Sequence, residues 1–200
     1  EDTLVLGSWL NGDLRGSYLR ASAMYREQTD DYTLYWSFPG VFNNEHRTTT
    51  YSGAVSGRNM LGRRGMLDWR AHGVEERIRS SALGDHERAR GGVTLIPGIS
   101  WERWQLNAGV RHEVFEDDDD ETLPQAALTL ALTDALALRL SHSQSVRQPS
   151  FTELNYESPA SLGNAGLENQ TAETTELQAT GATRSGLSWK LGLFQRTTHD

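Results

Sequence analysis

Apolar and polar residues alternate with a period of two along much of the chain. In "LALRLSHSQSVR" (136–147), Leu136, Leu138, Leu140 and Val146 share one face, while Arg139, Ser141, Ser143, Ser145 and Arg147 share the other. A helix would mix these two sets, so the segment is predicted to be a strand. His142 and Gln144 interrupt its apolar face, which predicts that the strand leaves apolar surroundings towards its carboxyl end. "WQLNAGVRHEV" sets Trp104, Leu106, Ala108, Val110 and Val114 against Gln105, Asn107, Arg111 and Glu113. "LSWKLGLFQR" sets Leu187, Trp189, Leu191 and Leu193 against Ser188, Lys190 and Arg196. Less regular stretches such as "LRGSYLRASAMYRE", "RTTTYSGAVSGR" and "GMLDWRAHGVEERIRS" are rich in β-branched and aromatic residues, which brings the expected number of strands to about ten. The charges of "VEERIRS" leave a short helix there as an alternative.

The connections alternate in length. Short ones fall at 11–13, 59–65, 101–103, 133–135 and 183–186; longer polar ones fall near 28–46, 80–86, 116–121 and 148–170. In an up-and-down meander successive connections lie at opposite ends, so short turns gather at one end and long loops at the other, the layout of an outer-membrane barrel. A soluble β-sandwich ligand-binding module alternates equally well. Strand length separates the two readings, because several candidates reach about 11 residues or more where a globular strand averages about five or six.

Composition removes several classes. At 36% hydrophobic and 23% charged, the 200 residues are ordinary for one folded domain. No run approaches the 18 or so apolar residues of a membrane helix, a criterion that does not touch membrane strands. There is no cysteine, hence neither a disulfide nor a thiolate metal site. The net charge of -8 comes without a basic run, which argues against nucleic acid as a partner. The six histidines lack metal-ligand spacing and no serine sits in a nucleophile elbow, so no enzyme and no cofactor are expected.

From about residue 95 the chain resembles TonB-dependent outer-membrane receptors. The family's S-x-R-x-P-S…E-L element stands here as Ser145, Arg147, Pro149, Ser150, Glu153 and Leu154. Its following loop-and-strand element is matched at Gly163, Asn164, Leu167, Glu176 and Leu177. Ala165 and Asn169 replace its prolines, and Gln170, Ala172 and Gln178 replace three further positions, the mark of a divergent branch. The resemblance implies an all-β, antiparallel up-and-down meander that forms part of a transmembrane β-barrel. Residues 1–200 would be a partial barrel domain lacking the plug and the barrel-closing strands. The parent protein would import a scarce nutrient such as a ferric siderophore or cobalamin across the bacterial outer membrane. Its partners would be that small molecule or metal chelate, the TonB complex acting through the plug, and outer-membrane lipid. Large plugged transporters use about 22 strands where about ten are expected here, and a narrower barrel would crowd Arg111, Arg139, Arg147 and Lys190 inside it, so the edge strands are expected to pair with another copy or with further sequence of the parent rather than with each other.

Candidate site residues follow from the loops. The aromatics Tyr32, Tyr35, Trp36, Phe38 and Phe42, with Tyr156 in a later loop, offer flat contact area and polar tips to a ligand. Asp117, Asp118, Asp119 and Asp120 are a candidate Ca²⁺ site, set against the reading of an acidic run that stays hydrated. Arg147, Pro149, Ser150, Glu153, Gly163, Asn164, Leu167 and Glu176 are expected to shape the barrel rim rather than touch a ligand. The length and Pro/Gly content of 148–170 predict the most mobile and most readily cleaved connection.

Overall fold

A computed structural model of the chain describes residues 1–33, 37, 43–158, 161–183 and 186–199. In chain order the elements are β1 (Asp2–Gly12), β2 (Tyr18–Thr33), β3 (Asn43–Leu61), β4 (Gly65–Ser80), β5 (Gly84–Trp101) and β6 (Trp104–Phe115). They continue with β7 (Glu121–Thr133), β8 (Leu136–Arg147), α1 (Phe151–Asn155), β9 (Glu157–Ser158), β10 (Ser161–Leu162), β11 (Gln170–Ala182) and β12 (Ser188–His199). All the strands but β9 and β10 join one 10-stranded antiparallel sheet in the order β1-β2-β3-β4-β5-β6-β7-β8-β11-β12. The expected meander of about ten strands is therefore present, and a single sheet replaces the two layers of a sandwich. β1 and β12 each have one neighbour and do not pair with each other.

One alternative falls away and one reading of the sequence changes. The stretch "VEERIRS" is strand, the last part of β4, because alternate residues Val74, Glu76 and Ile78 face one side and Glu75, Arg77 and Arg79 the other. The connection near 80–86 is short, only residues 81–83 between β4 and β5. Ser80 Oγ accepts from the backbone N–H groups of Ala82 and Leu83 at 3.1 and 2.9 Å, and Gly84 takes a φ of 81°, so a tight turn is closed by local bonds that polarity alone does not reveal.

Register assigns the faces. The row Trp69–Leu95–Val110–Pro124 runs across four strands on one side, and the row His72–Gly92–Glu113–Glu121 runs on the other. We call the first face outer. Its apolar positions form a continuous band at the short-turn end: Gly91, Val93, Leu95, Pro97, Ile99 and Trp101 on β5, Trp104, Leu106, Ala108 and Val110 on β6, Trp189, Leu191 and Leu193 on β12. Such a run matches the 9–11 residues or so that a tilted strand needs to cross a bilayer. Leu191 and Leu193 are 68% and 76% exposed, so among the described residues nothing covers the band there. Trp9, Trp69, Trp101, Trp104 and Trp189 lie on it near the short turns, while Tyr25 and Tyr51, with ring centroids 5.3 Å apart, mark its other border. Past that border the outer face turns polar, at Glu27, Thr29 and Asp31 on β2 and at Gln195 and Thr197 on β12.

The inner face holds most of what is buried in the sheet. Met66, Ile78, Phe115, Leu123, Ala127 and Ala172 all lie on it, beside the fully buried Glu113. It is concave: a cavity of about 370 Å³ is lined by Arg58 on β3, Asp68 on β4, Ile96 on β5, Asn107 on β6, Gln125 on β7 and Ser141 on β8. Six strands laid flat would span roughly 24 Å, too far to enclose one cavity of that size.

One cross-strand fit is specific enough to test. Gly57 on β3 pairs with Trp69 on β4, and a Cβ on Gly57 would meet the indole at 2.8 Å and Tyr18 O at 2.9 Å. Gly57→Val should destabilise the fold by about 1–3 kcal/mol, read from chemical unfolding in detergent micelles, because the new side chain must displace the indole and press on the Tyr18 carbonyl. An unchanged unfolding midpoint would mean that the indole does not lie over this glycine.

Candidate functional site

The long connection after β8 is built around one carboxylate. Arg147 ends β8 and donates from Nη1 and Nη2 to Glu153 Oε2 and Oε1 at 3.0 and 2.9 Å, a forked pair. Ser150 caps α1: its backbone N–H and hydroxyl both donate to Glu153 Oε2 at 2.7 and 2.9 Å, and its Oγ accepts from Glu153 N at 3.2 Å. The Arg147 fork and the two Ser150 donors lower the Glu153 carboxyl to about 2. The loop then closes on itself, as Gly163 N donates to Tyr156 O at 2.5 Å and Asn164 N to Glu153 O at 2.9 Å. Asn164 Oδ1 accepts from Gly166 N at 3.0 Å, and Leu167 N donates to Asn164 O at 3.2 Å. A Cβ at Gly163 would lie 2.8 Å from Leu154 and Tyr156 backbone atoms, so only glycine fits.

This loop is also held to a strand three places away in the sheet. Arg88 on β5 forms an ion pair with Glu76 at 2.7 Å, donates from Nη1 to Pro149 O at 2.6 Å, and stands 4.4 Å over the Phe151 ring. The His86 ring stacks on the same phenyl at 6.0 Å. The sequence offered Pro149, Ser150 and Glu153 through their motif, but not Glu76, His86, Arg88 or Phe151. Glu76 and Arg88 are opposite partners across the β4–β5 hairpin, a relation readable only once that turn is placed correctly.

Deeper on the inner face, Glu113 lies over Gly92, its register partner, where a Cβ would meet the carboxylate carbon at 2.7 Å. Arg111 Nε donates to Glu113 Oε1, and His72 Nε2 stands 3.3 Å from the same oxygen. Among the described residues Glu113 Oε2, His72 Nδ1 and Arg90 Nε are buried without a hydrogen-bond partner. Buried polar atoms are rarely left so. All three lie on the concave face.

The sequence-derived aromatic set is divided. Tyr32 faces inward at the end of β2 and is 51% exposed, and Tyr156 is half-buried as the C-cap of α1. Tyr35, Trp36, Phe38 and Phe42 lie outside the described residues. Of the acidic run, Asp118 Oδ1 accepts from Asp119 N at 2.9 Å and Asp120 stands 3.9 Å from His112 Nε2. Among the described residues no three His, Asp or Glu side chains converge in a way that would hold a metal ion, Asp117–Asp120 included.

An open, curved meander with an uncovered apolar band outside and a polar concave face inside is a segment of the wall of a transmembrane β-barrel. The family model for "TonB dependent receptor-like, beta-barrel" matches residues 3–200, and the chain belongs to that family. The siderophore receptor PirA from Pseudomonas aeruginosa is similar, with a TM-score of 0.71 and 15% identity over 98% of this chain and 39% of that one. PirA from Acinetobacter baumannii gives 0.70 and 14%, over 100% of this chain and 35% of that one. The unliganded ferric citrate transporter FecA gives 0.63 and 15%, over 98% and 34%. At these identities the likeness is one of fold, and the chain spans 39%, 35% and 34% of the three neighbours' lengths.

Proposed function

We propose that the chain is a wall segment of an outer-membrane importer for a small metal chelate, with the ferric siderophores as the substrate class. Cobalamin is the other nutrient class to be tried. The observation that carries this reading is the contrast between faces: an apolar band of bilayer height outside, and a charged wall inside whose orphaned Glu113, His72 and Arg90 atoms call for a plug or water in the lumen. Family membership supports it, as do neighbours described as siderophore receptors and a ferric citrate transporter. The long connections would face the exterior, with Tyr32, Tyr35, Trp36, Phe38, Phe42 and Tyr156 as candidate contacts for the chelate. Energy would arrive from the TonB complex through a plug carried elsewhere in the parent protein. The residues around Glu153 would set the rim, and Asp117–Asp120 would remain a hydrated loop or bridge to lipid through divalent ions.

The test is uptake of radiolabelled iron chelates by cells with and without the parent protein, with and without the proton-motive force. Loss of uptake of one chelate class on deletion, together with its loss on de-energising the membrane, is the expected result. Unchanged uptake of every iron chelate and of cobalamin would sink the proposal.

A further inference from the structure

We propose that residues 148–156 form a rigid flap, hinged at the end of β8 and latched onto the lumen side of β5 by Arg88, and that release of this latch lets the flap swing off the wall as one body. Arg88 shares the inner face of β5 with Arg90 and Gly92, so the Pro149 and Phe151 it grips lie over the concave side of the sheet. Phe115 on β6, Leu123 on β7 and Ala172 on β11 are buried on that same side. Among the described residues, the connection carrying α1 is the segment folded back over this face.

The flap is tied within itself more firmly than to the wall. Arg147 and Ser150 converge on Glu153, Leu154 N donates to Ser150 O and Tyr156 N to Thr152 O, each at 3.1 Å, and Asn155 Nδ2 donates to Phe151 O at 3.1 Å. These bonds are local, so they travel with the segment. Among the described residues its ties to the strands beyond β8 meet at one place, where Arg88 donates to Pro149 O and faces the Phe151 ring with His86 stacked beside it. The wall half of this latch is fixed: Arg88 Nε donates to Glu76 Oε2 at 2.8 Å, and His86 Nε2 donates to Leu83 O at 2.6 Å. An arginine holds a carboxylate more strongly than a carbonyl, so the latch parts between Arg88 and the flap.

The seat of the flap is incomplete. Gln148 Oε1, Asn169 Oδ1 and Nδ2, and Arg90 Nε are buried without a hydrogen-bond partner among the described residues. Gln148 and Asn169 adjoin Arg147 and Gln170, the last register pair of β8 and β11, and so stand where a hinge would bend. Closing the flap strips water from polar groups that it does not match, a cost that the bonds around Glu153 do not carry. Hydration of these groups favours the open position and Arg88 the closed one, which is the balance a two-state element needs.

The inference rests on the reading that this face lines a lumen, but its test does not depend on transport. In the full-length protein in detergent micelles, Ala172→Cys and, separately, Leu123→Cys report on the covered wall through their rate of maleimide labelling, read by mass on the peptide that carries each. Hydrogen exchange at the Leu154 and Tyr156 amides reports on the flap itself. Arg88→Gln should raise labelling at both reporters about tenfold or more, because it removes a hydrogen bond from a charged donor and labelling follows the population of the open form. Exchange at the two flap amides should stay as in the parent. Arg58→Gln breaks another inner-wall ion pair, the one with Asp68, and should leave labelling unchanged. Ala172→Cys alters little volume, so that reporter stands even where Leu123→Cys fails to fold. Labelling unmoved by Arg88→Gln, or raised equally by Arg58→Gln, overturns the proposal. So does loss of amide protection along with the rise in labelling, since the segment would then unfold rather than swing. Failed chelate uptake with the labelling pattern intact would overturn the transport reading alone.

Discussion

Leu95→Arg is expected to destabilise the folded protein by about 2–4 kcal/mol, measured by reversible unfolding in lipid vesicles, because it sets a charge on the lipid side at mid-depth of the band. Leu95 pairs with Trp69 on one side and Val110 on the other, and it is 46% exposed within a surface of apolar neighbours. Thr197→Arg provides the comparison. Thr197 is on the same face of β12, past Leu191 and Leu193 and opposite Glu173, so the substitution should stay within about 0.5 kcal/mol of the parent. Equal effects at the two sites would show that the band does not face hydrocarbon.

Glu153→Ala should release the loop between β8 and β11. The substitution removes both arms of the Arg147 fork and both Ser150 donors at once. Chymotrypsin, acting at Phe151 and Tyr156, should cut the variant about tenfold faster or more, since cleavage of a locally opened segment follows the population of the open form. Arg147→Lys keeps the charge but not the fork, and should fall between the two. The same contacts predict a pH dependence of definite sign. The Glu153 carboxyl is lowered from 4.5 to about 2, so its contribution to loop order is complete above 4.5 and is lost as pH falls through about 2. Protection at Phe151 that stays constant down to pH 2 would remove Glu153 from this role.

The Glu153→Ala experiment also tests the expectation that residues 148–170 form the most readily cleaved connection. Its length and its prolines and glycines are real loop signals, but they do not report the capping box, the fork or the grip of Arg88 on Pro149 and Phe151. Those contacts predict slower cleavage in the parent than in the Glu153→Ala variant. Similarly, polarity near 80–86 read as a loop because charged residues on a barrel strand past the apolar band look like loop residues; Arg77 and Arg79 are on the solvated outer part of β4.

The sequence alone determined the class of structure. A period of two is a local property of strands, so "WQLNAGVRHEV" and "LALRLSHSQSVR" declare their two faces without reference to any neighbour. Strand length and connection lengths, the tight turn at 81–83 apart, then favour the meander, and the motif from Ser145 to Glu176 names the family whose model matches residues 3–200. What only the tertiary structure decided is everything that depends on register between strands. The placing of Arg20 and Arg70 on one wall across Ser56, of Glu113 over Gly92, and of Arg88 under a loop 61 residues further on follows from pairing and curvature. A one-residue slip in any hairpin would send each of those side chains to the opposite face. Register is set by cooperative pairing along whole strands, and no short segment of the sequence carries it.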